Sequence, residues 1–276
     1  MNQYTIRHAV DSDKERICEI YAFARKFMAE NGNPNQWKNN NPSREIIDND
    51  IAAGNLYVIE EADKEQHIKE LPSIEGLVYH FIYDENPTFH RTYYINKMLA
   101  QTTTEIAAIW DTDAIAPITQ LSKAYKTIIE EQATMAYPYD GCFWSINEFF
   151  SSLFCKNFKI SLLEKSPMMK FLMCGYYSVG GAFLVNVRLY KECGWENEHF
   201  IGWGPEDAER YKRLMILNKK PIKIPGALYH LYHSRGNNSS DGNEQVAYIT
   251  KKEYCHVCSM QPDELKEYIK TWNWIK

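Results

Sequence analysis

The chain has 276 residues, enough for one large domain or two small ones, and its 45% hydrophobic and 24% charged content is that of a globular protein rather than a disordered one. The formal net charge is −5, with acidic and basic residues mixed throughout, so there is no basic arm for nucleic acid. No apolar run reaches the roughly 18–20 residues a membrane-spanning helix needs. The N-terminus Met1-Asn2-Gln3-Tyr4-Thr5-Ile6-Arg7 lacks signal-peptide character, and seven cysteines at irregular spacing argue against a disulfide framework. A cytoplasmic location is the expectation.

In chain order, Asp11 or Ser12 can cap a helix over Asp13–Glu30, whose apolar positions Ile17, Ile20, Tyr21, Ala24, Phe27 and Met28 recur at i, i+3, i+4. Asn31-Gly32-Asn33-Pro34 stops it. A second short helix is expected over Arg44–Ala52, ended by Gly54, and Asn55–Glu60 reads as a strand. Ile6-Arg7-His8-Ala9, Ala24-Arg25-Lys26-Phe27-Met28, Gly32-Asn33-Pro34-Asn35-Gln36-Trp37, Pro42-Ser43 and Asp50-Ile51 together resemble the N-terminal part of a GNAT-type N-acetyltransferase. The resemblance implies a small α/β segment over residues 1–58. Such enzymes hold the pyrophosphate of acetyl-CoA on a Gln/Arg-x-x-Gly-x-Gly/Ala loop that opens a helix, where backbone N–H groups meet the anion. No such loop follows Trp37, so the segment is expected to be silent as an acetyltransferase.

From about Glu60 the texture changes. Strands are expected at Gly76–Ile82, Glu105–Trp110 and Tyr177–Asn186, interleaved with helices at Ile118–Gln132 and Glu206–Leu217, a pattern of α/β type. The apolar run Ile106-Ala107-Ala108-Ile109-Trp110 ends abruptly in Asp111-Thr112-Asp113. Ligand crevices of open α/β sheets lie at the carboxyl ends of strands, and two carboxylates spaced i, i+2 reach one hard divalent cation if the chain turns there. The plain alternative is an ordinary acidic strand-to-loop junction. Gly202-Trp203-Gly204-Pro205-Glu206-Asp207 puts Pro205 at a first helical position and two carboxylates in the first turn, where the helix dipole alone already favours them. The flanking glycines let the indole of Trp203 approach a ligand closely. His230 and His233, three apart, converge only if their strand ends between them; otherwise they are half-buried aromatics of an edge strand. Cys255-His256-Val257-Cys258 has no second cysteine pair to complete a zinc site.

Taken in order, these motifs resemble GT-A glycosyltransferases of the β-1,4-galactosyltransferase type and their bacterial relatives. The likeness runs from about 60 to 243, and the domain is placed at 59–276. Arg91 and Asn96 match a nucleotide-side Arg…Asn pair and Asp111-Thr112-Asp113 the Asp-x-Asp motif. Gly180-Gly181-Ala182-Phe183 matches the glycine pair beside the donor sugar. Trp203-Gly204-Pro205-Glu206-Asp207 stands for Trp-Gly-Gly-Glu-Asp, and His230-x-x-His233 for a Met-x-x-His metal pair. The implied fold is a mixed sheet flanked by helices, without the family's opening strand, whose place the acetyltransferase-like segment takes.

The implied roles follow residue by residue. Asp113, His230 and His233 bind Mn²⁺ or Mg²⁺; Arg91, Asn96, Asp111, Gly180 and Gly181 hold the donor; Trp203 and Glu206 hold the acceptor; Asp207 is the general base. The implied activity is metal-dependent transfer of a hexose, galactose in the resemblance, from a UDP-sugar to a hydroxyl of a glycan or glycolipid, with inversion. A glycolipid acceptor is compatible with a peripheral place at a membrane. The alternatives are a glycosyltransferase-like binding module impaired by the missing strand and, least favoured, an N-acetyltransferase.

Overall fold

A computed structural model describes residues 4–30, 41–61, 88–165, 170–233 and 244–275, with alternate positions between 76 and 86. The chain divides into two compact units, Met1–Asp84 and Glu85–Lys276.

In the first unit β1 (Tyr4–His8) is followed by α1 (Lys14–Glu30), α2 (Arg44–Ala52) and β2 (Tyr57–Glu61). The two strands pair antiparallel, Tyr4 opposite Glu61 and His8 opposite Tyr57. The entry to α1 differs from expectation. Asp11–Asp13 form a 3-10 turn, and the Asp13 carboxylate rather than Asp11 or Ser12 takes the Val10 amide at 2.9 Å. Ser43 caps α2, its Oγ accepting from the Ile46 amide at 3.3 Å. β2 starts at Tyr57 rather than Asn55, because Gly54, at φ +69°, and the Asn55 amide bonded to Asp50 O still belong to the turn that ends α2. Ala9, Ile17 and Ile47 form the small core, but Ile20 is 54% exposed, so the apolar stripe of α1 is buried only in part. The Asn31–Pro34 stop and Trp37 lie outside the described residues; of the strand expected over Gly76–Ile82, Leu77, Tyr79 and Phe81 also lie outside them, while Gly76, Val78, His80 and Ile82 are not in a strand.

The second unit is mixed α/β. Its elements run α3 (Arg91–Gln101), β3 (Ile106–Trp110), β4 (Ala114–Ile115), α4 (Ile118–Glu131), β5 (Met135–Tyr137) and β6 (Phe143–Ile146). There follow α5 (Glu148–Asn157), α6 (Ser161–Glu164), β7 (Lys170–Leu172), β8 (Ala182–Asn186), α7 (Val187–Glu192) and α8 (Glu206–Ile216). β9 (Ile222–Lys223), β10 (Leu228–His230), α9 (Glu244–Ser259) and α10 (Pro262–Lys270) complete it. The strands form two four-stranded mixed sheets, β3-β8-β5-β9 and β4-β10-β6-β7.

β5 and β8 are buried at every residue, as their apolar sequences demand up to the polar Asn186 that ends β8. Ala124 and Ile128 on the apolar stripe of α4 pack on Ala136 and Leu184 of those strands. β8 begins at Ala182, not at Tyr177 as expected. Gly181 has φ +80°, a conformation that cannot continue a strand, and Tyr177–Gly180 becomes a loop on the wall of the site described next. Among the described residues no helix is long and apolar enough to cross a membrane.

Candidate functional site

The carboxyl ends of β3 and β10 open into a cleft of about 1060 Å3. β3 stops at Trp110, and the chain turns: the Ala114 amide donates to Asp111 O at 2.9 Å, and the Trp110 indole donates to Ala114 O at 2.7 Å. The Asp111 amide continues the ladder to Gly181 O at 2.8 Å, so the first carboxylate leaves from the sheet edge and the second from the turn. β10 ends at His230, and the Leu231 amide donates to Asp113 O at 2.8 Å, which swings His233 back over the turn. The strand therefore ends between the two histidines, the condition under which they converge.

Nε2 of His233 lies 3.1 Å and Nε2 of His230 3.6 Å from Asp113 Oδ2, with the imidazole centroids 5.2 Å apart. Potential ligand atoms of the three residues all fall within 4.8 Å of one another. Three lone-pair-bearing groups directed at one another need either protons or a cation between them. One carboxylate with two imidazoles is a donor set that suits a divalent first-row metal ion. Among the described residues this is the one cluster of three such groups, and Cys255 and Cys258 on α9 gain no further ligand.

Arg91 opens α3 and places its guanidinium across the cleft. Nη2 donates to Asp111 Oδ1 at 2.5 Å, while Nη1 lies 3.8 Å from Asp207 Oδ1 and 3.9 Å from Glu206 Oε1. Burial lifts the Asp111 carboxyl above its ordinary value, against the pull of Arg91. Asn96, assigned by resemblance to the donor, is 4% exposed and turned away from the cleft. Its side chain donates to Glu196 O at 3.0 Å and Glu198 Oε1 at 2.8 Å and accepts from the Glu196 amide at 2.9 Å. Thr92 Oγ1 adds a bond to Phe200 O at 2.9 Å, so Asn96 helps pin α3 and thereby aims Arg91.

The opposite wall is the start of α8. Pro205 is the residue before the helix, not its first residue, and its carbonyl accepts from the Glu209 amide at 2.9 Å. Trp203, 48% exposed, lines the mouth of the cleft, and Gly202 turns there at φ +71° with its amide on Phe89 O at 2.9 Å. Glu206 is the most perturbed acid of the site. Its Oε2 is buried without a hydrogen-bond partner among the described residues, and burial, reinforced by the Asp207 charge, pushes its carboxyl up to about 8. Asp207 instead accepts from Arg210 Nη1 at 2.7 Å. The two neighbouring carboxyls thus meet different surroundings, Glu206 buried so that its protonated form is favoured and Asp207 paired with Arg210, which is how adjacent acids acquire different roles.

Sequence reasoning missed what stands behind Asp207. Arg210 is wholly buried and donates through Nε and Nη2 to Glu196 at 2.8 and 2.7 Å, and Tyr190 OH donates to the same carboxylate at 2.7 Å. Burial would raise Glu196, but the Arg210 charge and these hydrogen bonds hold it below its ordinary value. The i, i+3 spacing of Asp207 and Arg210 on a helix was a readable signal; Glu196 had none. Of the residues assigned by resemblance, Arg91, Asp111, Asp113, Gly180, Gly181, Trp203, Glu206, Asp207, His230 and His233 all line this one cleft, and Asn96 does not. Comparison with protein-family models and with curated proteins returns no match.

Proposed function

We propose that Glu85–Lys276 is a metal-dependent glycosyltransferase that moves a hexose, galactose by the resemblance, from a UDP-sugar to a hydroxyl of a glycan or glycolipid, with inversion. The observation that carries this reading is the meeting, in one cleft, of an Asp/His/His cluster with an ion-paired and a neutral carboxyl drawn from motifs about 100 residues apart in the chain. The charge balance supports it. Among the described residues Asp111, Asp113 and Asp207 line the cleft with Arg91 as its one lining cation, and Arg210 behind Asp207 is shared with Glu196, so the cleft has room for a divalent cation and for the anion that cation would carry in.

In this reading Asp113, His230 and His233 hold Mn²⁺ or Mg²⁺, which when bound neutralises the departing diphosphate. Arg91 can exchange Asp111 for a phosphate oxygen, keeping a charge-assisted bond in either state. Trp203 offers an apolar face to a sugar ring at the mouth. Glu206, as a neutral acid, donates its O–H to an acceptor oxygen. Asp207 takes the proton of the attacking hydroxyl, and proximity of base and nucleophile supplies the rate. Titration of the protein with UDP by calorimetry, with and without Mn²⁺, tests the donor side, and release of galactose from UDP-galactose tests the chemistry. Binding and hydrolysis that both require the metal are expected, and their joint absence would overturn the reading.

A further inference from the structure

We propose that Arg210 and Gly180 are positioning residues that clamp the Asp207 carboxylate from two sides and leave its Oδ2 as the proton-accepting atom, an inference that rests on the glycosyltransferase reading above. The clamp begins with Arg210, which has no freedom of its own. Two of its nitrogens are spent on Glu196 at 2.8 and 2.7 Å, and its plane lies on the Phe183 ring, 4.2 Å from the centroid. The remaining nitrogen, Nη1, donates to Asp207 Oδ1 at 2.7 Å. A guanidinium tethered to a second buried carboxylate cannot follow Asp207 if it moves, so Oδ1 has one place to be.

Gly180 sets the other side. A Cβ built on it would stand 2.5 Å from Asp207 Oδ2 and 3.3 Å from Asp207 Cγ, so any side chain there would take the space the carboxylate fills. Its neighbour Gly181 is glycine for a backbone reason, φ +80°, whereas Gly180 has no left-handed conformation and is glycine for the space alone. Nor can the Gly180 backbone retreat, because its carbonyl accepts from the buried Tyr139 OH at 2.6 Å. Asp207 is therefore held between a fixed donor and a fixed wall, with its 32% exposed side chain in the cleft.

The chemistry that follows is a single displacement. The acceptor O–H bond breaks and its proton passes to Asp207 Oδ2. The oxygen forms the new bond to the anomeric carbon, and the bond from that carbon to the diphosphate breaks, its electron pair leaving with UDP. Arg210 holds the carboxylate in place by its ion pair until the proton arrives.

The test uses the full chain with Mn²⁺ and UDP-galactose, water serving as acceptor. In Gly180→Ala the obstructing atom is the end of a side chain, so the protein folds, but Asp207 is displaced and kcat falls by about 10²-fold. Arg210→Lys keeps the buried positive charge but loses the fork. The acid limb of its kcat profile moves to higher pH because Asp207 loses its strongest donor, a shift that loss of packing alone would not produce. Wild-type kcat in Gly180→Ala, or an unmoved acid limb in Arg210→Lys, would overturn the clamp while leaving the glycosyltransferase reading intact. A wild-type protein with no metal-dependent hydrolysis would overturn that reading and with it the role of Asp207 as base.

Discussion

Arg91 and Asp111 meet at 2.5 Å, the first residue of one helix closing on the first carboxylate after a strand. The same guanidinium lies within 3.9 Å of Asp207 and Glu206, so one cation stands between the carboxylates of the two walls. Arg91→Ala should leave Asp111 and Asp207 to repel one another across a partly buried cleft. We expect UDP affinity to fall by about tenfold or more and the unit to lose on the order of 1–3 kcal/mol of stability at neutral pH, read by calorimetry and denaturant unfolding. Unchanged UDP affinity would place the donor phosphates elsewhere.

The Asp113, His230 and His233 cluster makes a separate prediction. Mn²⁺ at about 100 times its dissociation constant should stabilise the wild-type protein by about 2.7 kcal/mol, and a chelator should remove the gain. Asp113→Ala and His233→Ala should show little or no gain, because each takes away one of the three donors. A Mn²⁺-dependent rise in melting temperature that survives in both variants would show that the ion binds at another place.

Asp207→Asn should separate donor binding from chemistry. The amide keeps the size of the side chain but cannot take a proton at Oδ2, so kcat should fall by about 10²–10⁴-fold with metal-dependent UDP affinity nearly unchanged. Parallel loss of UDP affinity would move Asp207 to the donor side.

Glu206 predicts a pH dependence of stability with a definite sign. Its carboxyl is raised from 4.5 to about 8 in the folded protein, so between those values the native state holds a proton that the unfolded chain has released. The native state then binds more protons, and stability falls as pH rises through that window. Glu206→Gln should remove this component. The variant should gain on the wild type by an amount on the order of 1–3 kcal/mol between pH 5 and pH 8, measured by denaturant unfolding at both values. Stability curves that stay parallel would mean that Glu206 is ionised in the fold.

Local patterns made several elements readable. α4 and α8 follow from apolar positions at helical spacing, and β3 from an apolar run cut off by two carboxylates. The convergence of His230 and His233 was conditional on where β10 ends, and that end is set by the Leu231 amide on Asp113 O, a bond between residues far apart in the chain. The surroundings of Asn96 were illegible for the same reason. Its five-residue spacing from Arg91 matched a donor-binding pair, but its amide pairs with the backbone of Glu196, and nothing near it in sequence signals that.

By itself the sequence determined the candidate site residues and the elements that bear them. The residue types of the Asp-x-Asp turn, the Trp203–Asp207 run and the His pair, and the helices and strands that bear them, are local properties of side-chain chemistry and hydrophobic period. Tertiary structure alone decided the rest: the pairing of β2 with β1, the division of the strands into two sheets, and the contrast between a neutral Glu206 and a clamped Asp207. Strand partners are chosen by long-range packing that many sequences with one pattern could satisfy differently. The state of a carboxyl depends on its burial and on the charges brought beside it, and folding supplies both.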